Sequence, residues 1–155
     1  MGCEEDARIA FSNPMASWDV LSSGWRHLSS KFVNERTVYI SPSDVVYKID
    51  SWSQQNWNEH HASIELSKLH LDGWEIPPTE LYKVEKELIL AMPFIEGVTA
   101  AVYYGIDPFS PYSMEMEERL YNRSEVERFF DLDDLHAENI IVRPDGTHVI
   151  IDLGL

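Results

Sequence analysis

Asp134, Asn139 and Asp152 are the residues of this chain whose types and spacing could do chemistry. Asn139 follows Asp134 by five positions, and Asp152 follows Asn139 by thirteen. Between the last two lie an apolar run, Ile140-Ile141-Val142, a turn, Pro144-Asp145-Gly146, and a second apolar run, Val149-Ile150-Ile151. An Asp-Gly turn between β-branched runs predicts a hairpin. A hairpin returns Asn139 and Asp152, which flank it, to one end. Two oxygen donors meeting beside a third acid suit Mg²⁺ carrying a polyphosphate. Singly, each residue has a plainer reading: Asp134 as one solvated acid among Asp131, Asp133 and Asp134, Asn139 as a loop residue, Asp152-Leu-Gly as a strand-ending turn. The joint spacing favours the chemical one.

Asp134-Leu-His-Ala-Glu-Asn139 and Asp152-Leu-Gly154 resemble the catalytic loop and the metal-binding motif of the protein-kinase-like superfamily. His136 after Leu135 is similar to the loop of the aminoglycoside and choline phosphotransferases. Leu132-Asp133 stands where that family has His-Arg or His-Gly, a structural anchor of the loop. The resemblance implies Asp134 as general base or orienter of an acceptor hydroxyl, and Asn139 and Asp152 as Mg²⁺ ligands. Val45-Val46-Tyr47-Lys48-Ile49 resembles the family's third strand, which makes Lys48 the ligand of the α- and β-phosphates of ATP. Its ion-pair partner is expected on the next helix, predicted over Asn58 to Leu71 from the stripe Ala62, Leu66 and Leu69 and ended by Gly73 and Pro77-Pro78. Glu65, with Leu66 beside it and Leu69 at i+4, fits the family pattern and is the first choice. Glu59 is the fallback. Glu87 to Gly97 resembles the fifth strand and the hinge. Met92 then flanks the adenine pocket, and Pro93, Phe94 and Ile95 form the hinge.

The expected fold class is α+β and protein-kinase-like: an N-terminal antiparallel sheet plus one helix, followed by a minimal helical C-lobe that ends after Asp-Leu-Gly. Residues 1–24 are read as an N-terminal extension, 25–104 as the N-lobe and 105–155 as a truncated C-lobe with the catalytic loop. Strands are expected over Trp25 to Phe32, Arg36 to Ile40, Val45 to Ile49, around Leu81 to Lys83, and over Leu88 to Met92. A short helix is placed around Ala16 to Leu21, and a loop over Gly105 to Pro111. One helix is expected from Ser113 to Phe130, N-capped by Ser113. The segment from Ser29 to Arg36, which would cover the phosphates, has no glycine to let backbone amides approach closely. Ser29 and Ser30 offer hydroxyls there, and Lys31 and Arg36 offer charge.

Composition sets the outer bounds. The chain has 155 residues with 44% hydrophobic content, enough for a core. Its net charge of −15, from 12 basic against 27 acidic residues, repels nucleic acid and anionic membranes. The same acidity suits solubility and leaves room for a partner with a basic surface. No apolar run is long enough to span a membrane, and no secretory signal pattern opens the sequence. The single cysteine, Cys3, cannot form an internal disulfide, which points to a reducing, cytoplasmic setting. Met1-Gly2-Cys3 resembles the start of an acylated protein, but Asp6 stands where the myristoylation pattern wants Ser or Thr. His60 and His61 are adjacent and cannot share a helix face, and His136 and His148 lack a ligand spacing, so structural zinc is not expected.

Together these features lead to the expectation of an ATP- and Mg²⁺-dependent phosphotransferase. Its acceptor would be a protein hydroxyl, since an open site cannot enclose a small molecule, and a second chain could complete the acceptor site. The alternative is a catalytically weak or inactive pseudokinase, a nucleotide- or partner-binding regulatory module.

Overall fold

Aromatic and β-branched runs between Arg26 and Pro93 build one sheet, and shorter runs, most of them later in the chain, build another. The computed structural model describes residues 1–12, 24–28, 36–50, 54–133 and 135–153. The helix expected at 16–21, residues 29–35 of the segment expected to cover the phosphates, Asp134 and Gly154 lie outside the described residues. The fold is α+β, and it divides into two compact units, one of residues 1–64, 78–94 and 153–155, the other of 65–77 and 95–152. The division after Phe94 falls ten residues before the boundary read from the sequence.

In the first unit, helix α1 (Glu4–Ser12) precedes strands β1 (Arg26–Leu28), β2 (Thr37–Ile40) and β3 (Val45–Ile49). Helix α2 (Gln54–Leu66) follows, and strands β5 (Glu80–Val84) and β6 (Glu87–Pro93) complete the sheet. The sheet is antiparallel throughout, in the order β1-β2-β3-β6-β5. Residues 1–12 are part of its core rather than an extension. Glu4, Glu5 and Asp6 occupy the first turn of α1, where carboxylates complement the helix dipole. Ala7 and Ala10 are fully buried against Tyr39, Val45, Tyr47, Ile89 and Ala91. The Tyr47 hydroxyl takes the Cys3 amide at 3.2 Å, and burial pushes its pKa well above the ordinary range. Because strand side chains alternate, Lys48 points to the face opposite Tyr47.

Helix α2 starts where the Asp50 carboxylate accepts the Gln55 amide at 2.8 Å. It ends at Leu66, five residues short of the expected end. Its buried residues are Asn56, Glu59 and Ser63, whereas Leu69 is exposed. The apolar stripe expected to face inward is therefore not the buried one.

The second unit holds β4 (Trp74–Glu75), β7 (Val98–Thr99), β8 (Ile140–Val142) and β9 (His148–Ile150), in the order β4-β9-β8-β7. β4 runs parallel to β9, and the other pairs are antiparallel. Arg143 grips Glu75 through Nε at 3.0 Å and Nη2 at 3.2 Å, tying the hairpin to β4. Its helices are α3 (Ala100–Tyr104), α4 (Ser113–Tyr121) and α5 (Arg123–Phe130). The single helix expected over Ser113 to Phe130 is thus two. Asn122, which tolerates the left-handed region and adopts φ 54°, closes α4 with its amide on the Glu118 carbonyl and opens α5. Ser113 is not the N-cap; Tyr112 precedes α4 and makes no side-chain cap bond.

Gly97 sits where only hydrogen fits. Its φ is +149°, and a Cβ there would lie 2.2 Å from the Val142 carbonyl oxygen. Gly97→Ala should cost about 2 kcal/mol or more in urea unfolding; an unchanged midpoint would contradict this packing.

His148 lies among Trp74, Tyr104 and Tyr121, with Nδ1 3.0 Å from the Gly146 carbonyl and Nε2 2.6 Å from the Tyr104 hydroxyl. A carbonyl only accepts, so Nδ1 carries the hydrogen and Nε2 accepts from the tyrosine. Burial holds the His148 pKa below its ordinary value, against the Gly146 hydrogen bond that raises it. The unfolded chain therefore takes up the proton first. Stability is fully present above the unfolded value of about 6.5 and declines as pH falls towards the folded value. His60, lowered by burial and by His61, acts in the same direction. Melting curves between pH 7.5 and 5 should show this decline, and His148→Gln should flatten it; an undiminished slope would acquit His148.

Candidate functional site

β3 is a central strand covered on both faces, which buries the lysine at its fourth position. A buried ammonium needs a counter-charge. Glu59 of α2, 2% exposed, supplies it: Lys48 Nζ lies 2.7 Å from Oε1 and 3.2 Å from Oε2. The same carboxylate takes Arg36 Nη1 on Oε2 at 2.8 Å. Asn56, one turn earlier on α2, accepts from Arg36 at 3.0 Å and donates to the carbonyls of Lys48 and Leu88 at 2.9 and 2.8 Å. Oε1 of Glu59 also receives the backbone amide of Leu153, the residue after Asp152, at 3.4 Å.

Glu65, the first choice as partner of Lys48, does not pair with it. Glu65 is exposed and lies 3.2 Å from Lys68 on the surface. The reason is the polar inner face of α2: the stripe through Asn56, Glu59 and Ser63 points at the sheet, and Glu65 is off it. Glu59, the fallback, holds the lysine. Of the residues expected around the adenine, Met92 is buried and sits opposite Val46 in the sheet. Phe94 is partly exposed, lies under the Arg26 guanidinium at 4.9 Å, and gives its amide to the Asp44 carbonyl at 3.0 Å. Ile95 is buried in the second unit.

In the second unit the hairpin forms with Ile140 opposite Ile150, and the Ile151 amide reaches the Asn139 carbonyl at 3.0 Å. This register brings Asn139 and Asp152 to the same end of β8 and β9. Asn139 Nδ2 lies 3.0 Å from His136 Nε2. An amide nitrogen only donates, so the ring nitrogen accepts and the carbonyl oxygen of Asn139 is its ligand-type atom. The Asp152 carboxylate is exposed. Both atoms are hard oxygen donors, and a pair of them suits Mg²⁺, which keeps waters and phosphate oxygens in its remaining positions. Among the described residues no group of three or more His, Cys, Asp or Glu is placed to hold a metal by itself.

Glu117 was not among the residues singled out from the sequence. It lies buried on α4, and its Oε1 accepts the Ala137 amide at 2.5 Å and the Tyr121 hydroxyl at 2.8 Å. Arg123 Nη1 stands 3.2 Å from its Oε2. Nothing local marks this glutamate, which reads as one acid among several on an amphipathic helix. Arg36 was expected to lend charge to the phosphate segment; its link to Glu59 had no signal in spacing.

Removing one partner of a buried charge cluster leaves the rest uncompensated. Glu59→Gln should lower the unfolding free energy by about 3 kcal/mol or more, and Glu65→Gln should leave the denaturation midpoint where it is. The reverse ranking would overturn the pairing.

No protein-family model matches the chain, and no curated protein matches it. Among solved structures it is similar to the bifunctional kinase-methyltransferase WbdD, with a TM-score of 0.50 and 18% identity, over 84% of this chain and 33% of that one. The chain thus spans about a third of the length of that protein. At this identity the likeness concerns the fold: an α+β arrangement compatible with a small kinase-like domain.

Proposed function

We propose that the chain is a kinase-like phosphotransferase that uses ATP and Mg²⁺, with a protein hydroxyl as the acceptor. The observation that carries this reading is the buried Lys48–Glu59 pair, with the amide of Leu153 bonded to the same carboxylate. That arrangement ties the strand lysine, the helix glutamate and the backbone following Asp152 to one group. The register of the hairpin, which returns Asn139 and Asp152 to one end, supports it independently.

Bound Mg·ATP would supply the transferable phosphoryl group and the cation that neutralises it. Lys48, oriented by Glu59, then binds the α- and β-phosphates. Asn139 and Asp152 offer their oxygens to the metal. Asp134 orients the acceptor hydroxyl and takes its proton as the new oxygen–phosphorus bond forms and the bond to the leaving oxygen breaks. In a loose, in-line displacement, most of the rate comes from such positioning and charge placement.

The second reading is a pseudokinase that binds nucleotide or a partner without transfer. One observation favours it: the Phe94 amide is already given to Asp44, which removes a hinge donor that adenine would use.

A ligand that binds the native state raises its melting temperature. Millimolar Mg·ATP should therefore raise the midpoint, and no shift with ATP or GTP would sink both the phosphotransferase and the nucleotide-binding pseudokinase. Label from γ-phosphate should reach a protein hydroxyl, and Asp134→Asn should abolish this transfer while sparing the thermal shift. A shift without transfer selects the pseudokinase; transfer surviving in Asp134→Asn removes the base from Asp134.

A further inference from the structure

The loop from Leu135 to Asn139 closes with a short 3-10 turn, Ala137–Asn139. The first amides of such a turn have no partner within it and need one from outside. His136, the residue before the turn, makes no side-chain cap bond. Its ring faces Asn139 instead, with Nε2 3.0 Å from Nδ2. The Ala137 amide is met by Glu117, twenty residues earlier in the chain, at 2.5 Å. Ala137 and Glu117 are both buried, so water does not compete for the bond.

The carboxylate is itself held. Tyr121, one turn later on α4, donates its hydroxyl to Oε1, and Arg123 approaches Oε2. Arg123 also lies 2.6 Å from Glu127. In a continuous helix, residues six apart point to different faces and do not meet. The left-handed Asn122 between α4 and α5 redirects the chain and lets Arg123 reach back to Glu117. Burial and the neighbouring carboxylate keep the Tyr121 hydroxyl protonated far beyond its ordinary range, so it stays a donor.

We infer that Glu117 is a positioning residue: its carboxylate, clamped by Tyr121 and Arg123, holds the Ala137 amide and so sets Asn139, two residues on, for the metal. The role of Asn139 rests on the phosphotransferase reading; the hold on Ala137 does not.

The test uses the whole chain with Glu117→Gln and Tyr121→Phe, read by hydrogen exchange at the Ala137 amide and by ATP affinity with Mg²⁺ and with EDTA. Glu117→Gln loses the charge-assisted bond, so Ala137 should exchange about tenfold faster, equivalent to about 1.4 kcal/mol. Tyr121→Phe removes one arm of the clamp but keeps the carboxylate and Arg123, so Ala137 should exchange faster than in the wild type but clearly less so than in Glu117→Gln. Glu117→Gln should also cut the gain in ATP affinity that Mg²⁺ gives by several-fold, with affinity in EDTA unchanged. Unaltered Ala137 exchange in Glu117→Gln, or equal acceleration in Tyr121→Phe, overturns the hold. Faster exchange with an intact Mg²⁺ gain overturns the positioning of Asn139. A wild type that binds no ATP at all would refute the phosphotransferase reading, and the positioning of Asn139 with it, while Ala137 exchange still decides the hold. If Glu117→Gln does not fold, Glu117→Asp, which withdraws the oxygens by one methylene, carries the same readouts and the same expected directions.

Discussion

The carboxylate of Glu59 is the group on which the first unit of this protein depends. Its two oxygens receive a lysine from β3, an arginine from the start of β2 and a backbone amide from the chain after Asp152. A buried carboxylate of this kind is costly unless every lone pair is used, and an uncompensated partner is costlier still. The cluster therefore acts as one unit. It fixes the rotation of α2 about its own axis, because only one face carries Asn56 and Glu59 together. It also fixes the depth at which the helix meets the sheet, because Asn56 bonds the carbonyls of both β3 and β6.

That cluster explains where sequence reasoning succeeded and where it failed. The strands were legible because their apolar residues alternate and their turns carry the residues that turns require. The hairpin around Asp145-Gly146 is the clearest case, and its ends were placed by the same pattern. Helix α2 was misread for a physical reason. Its inner face is polar, and its large apolar residues Trp57 and Ile64 are exposed. A search for apolar periodicity finds the wrong stripe, and with it the wrong glutamate. The break at Asn122 was missed because a helix pattern continues on both sides of it, and a single asparagine carries little weight against that pattern.

The cluster around Lys48 and the turn around Asn139 are held by different physics. Around Lys48, full charges neutralise one another in a dry interior, so geometry follows from electrostatics. Around Asn139, backbone amides and side-chain dipoles do most of the work: Ile151 to the carbonyl, His136 to the side chain, Glu117 to the turn. Only the last of these involves an ionised group. The Lys48 cluster resists opening because losing one partner leaves the others as uncompensated buried charges. The bonds around Asn139 are made separately, and among them the one from Ala137 to Glu117 is buried.

The two faces of β3 bear on how this strand finds its place. Tyr47 belongs to the face that receives α1, and Lys48 to the face that receives Glu59. A slip of one residue exchanges the faces. Tyr47 would then meet a buried carboxylate, and Lys48 would meet the alanine floor of α1. Most strands with one wet side are aligned by a single pattern of apolar residues. Here the alignment is written twice, once in packing and once in charge, and both must agree before either helix can dock. The strand that carries the lysine thus proofreads its own alignment.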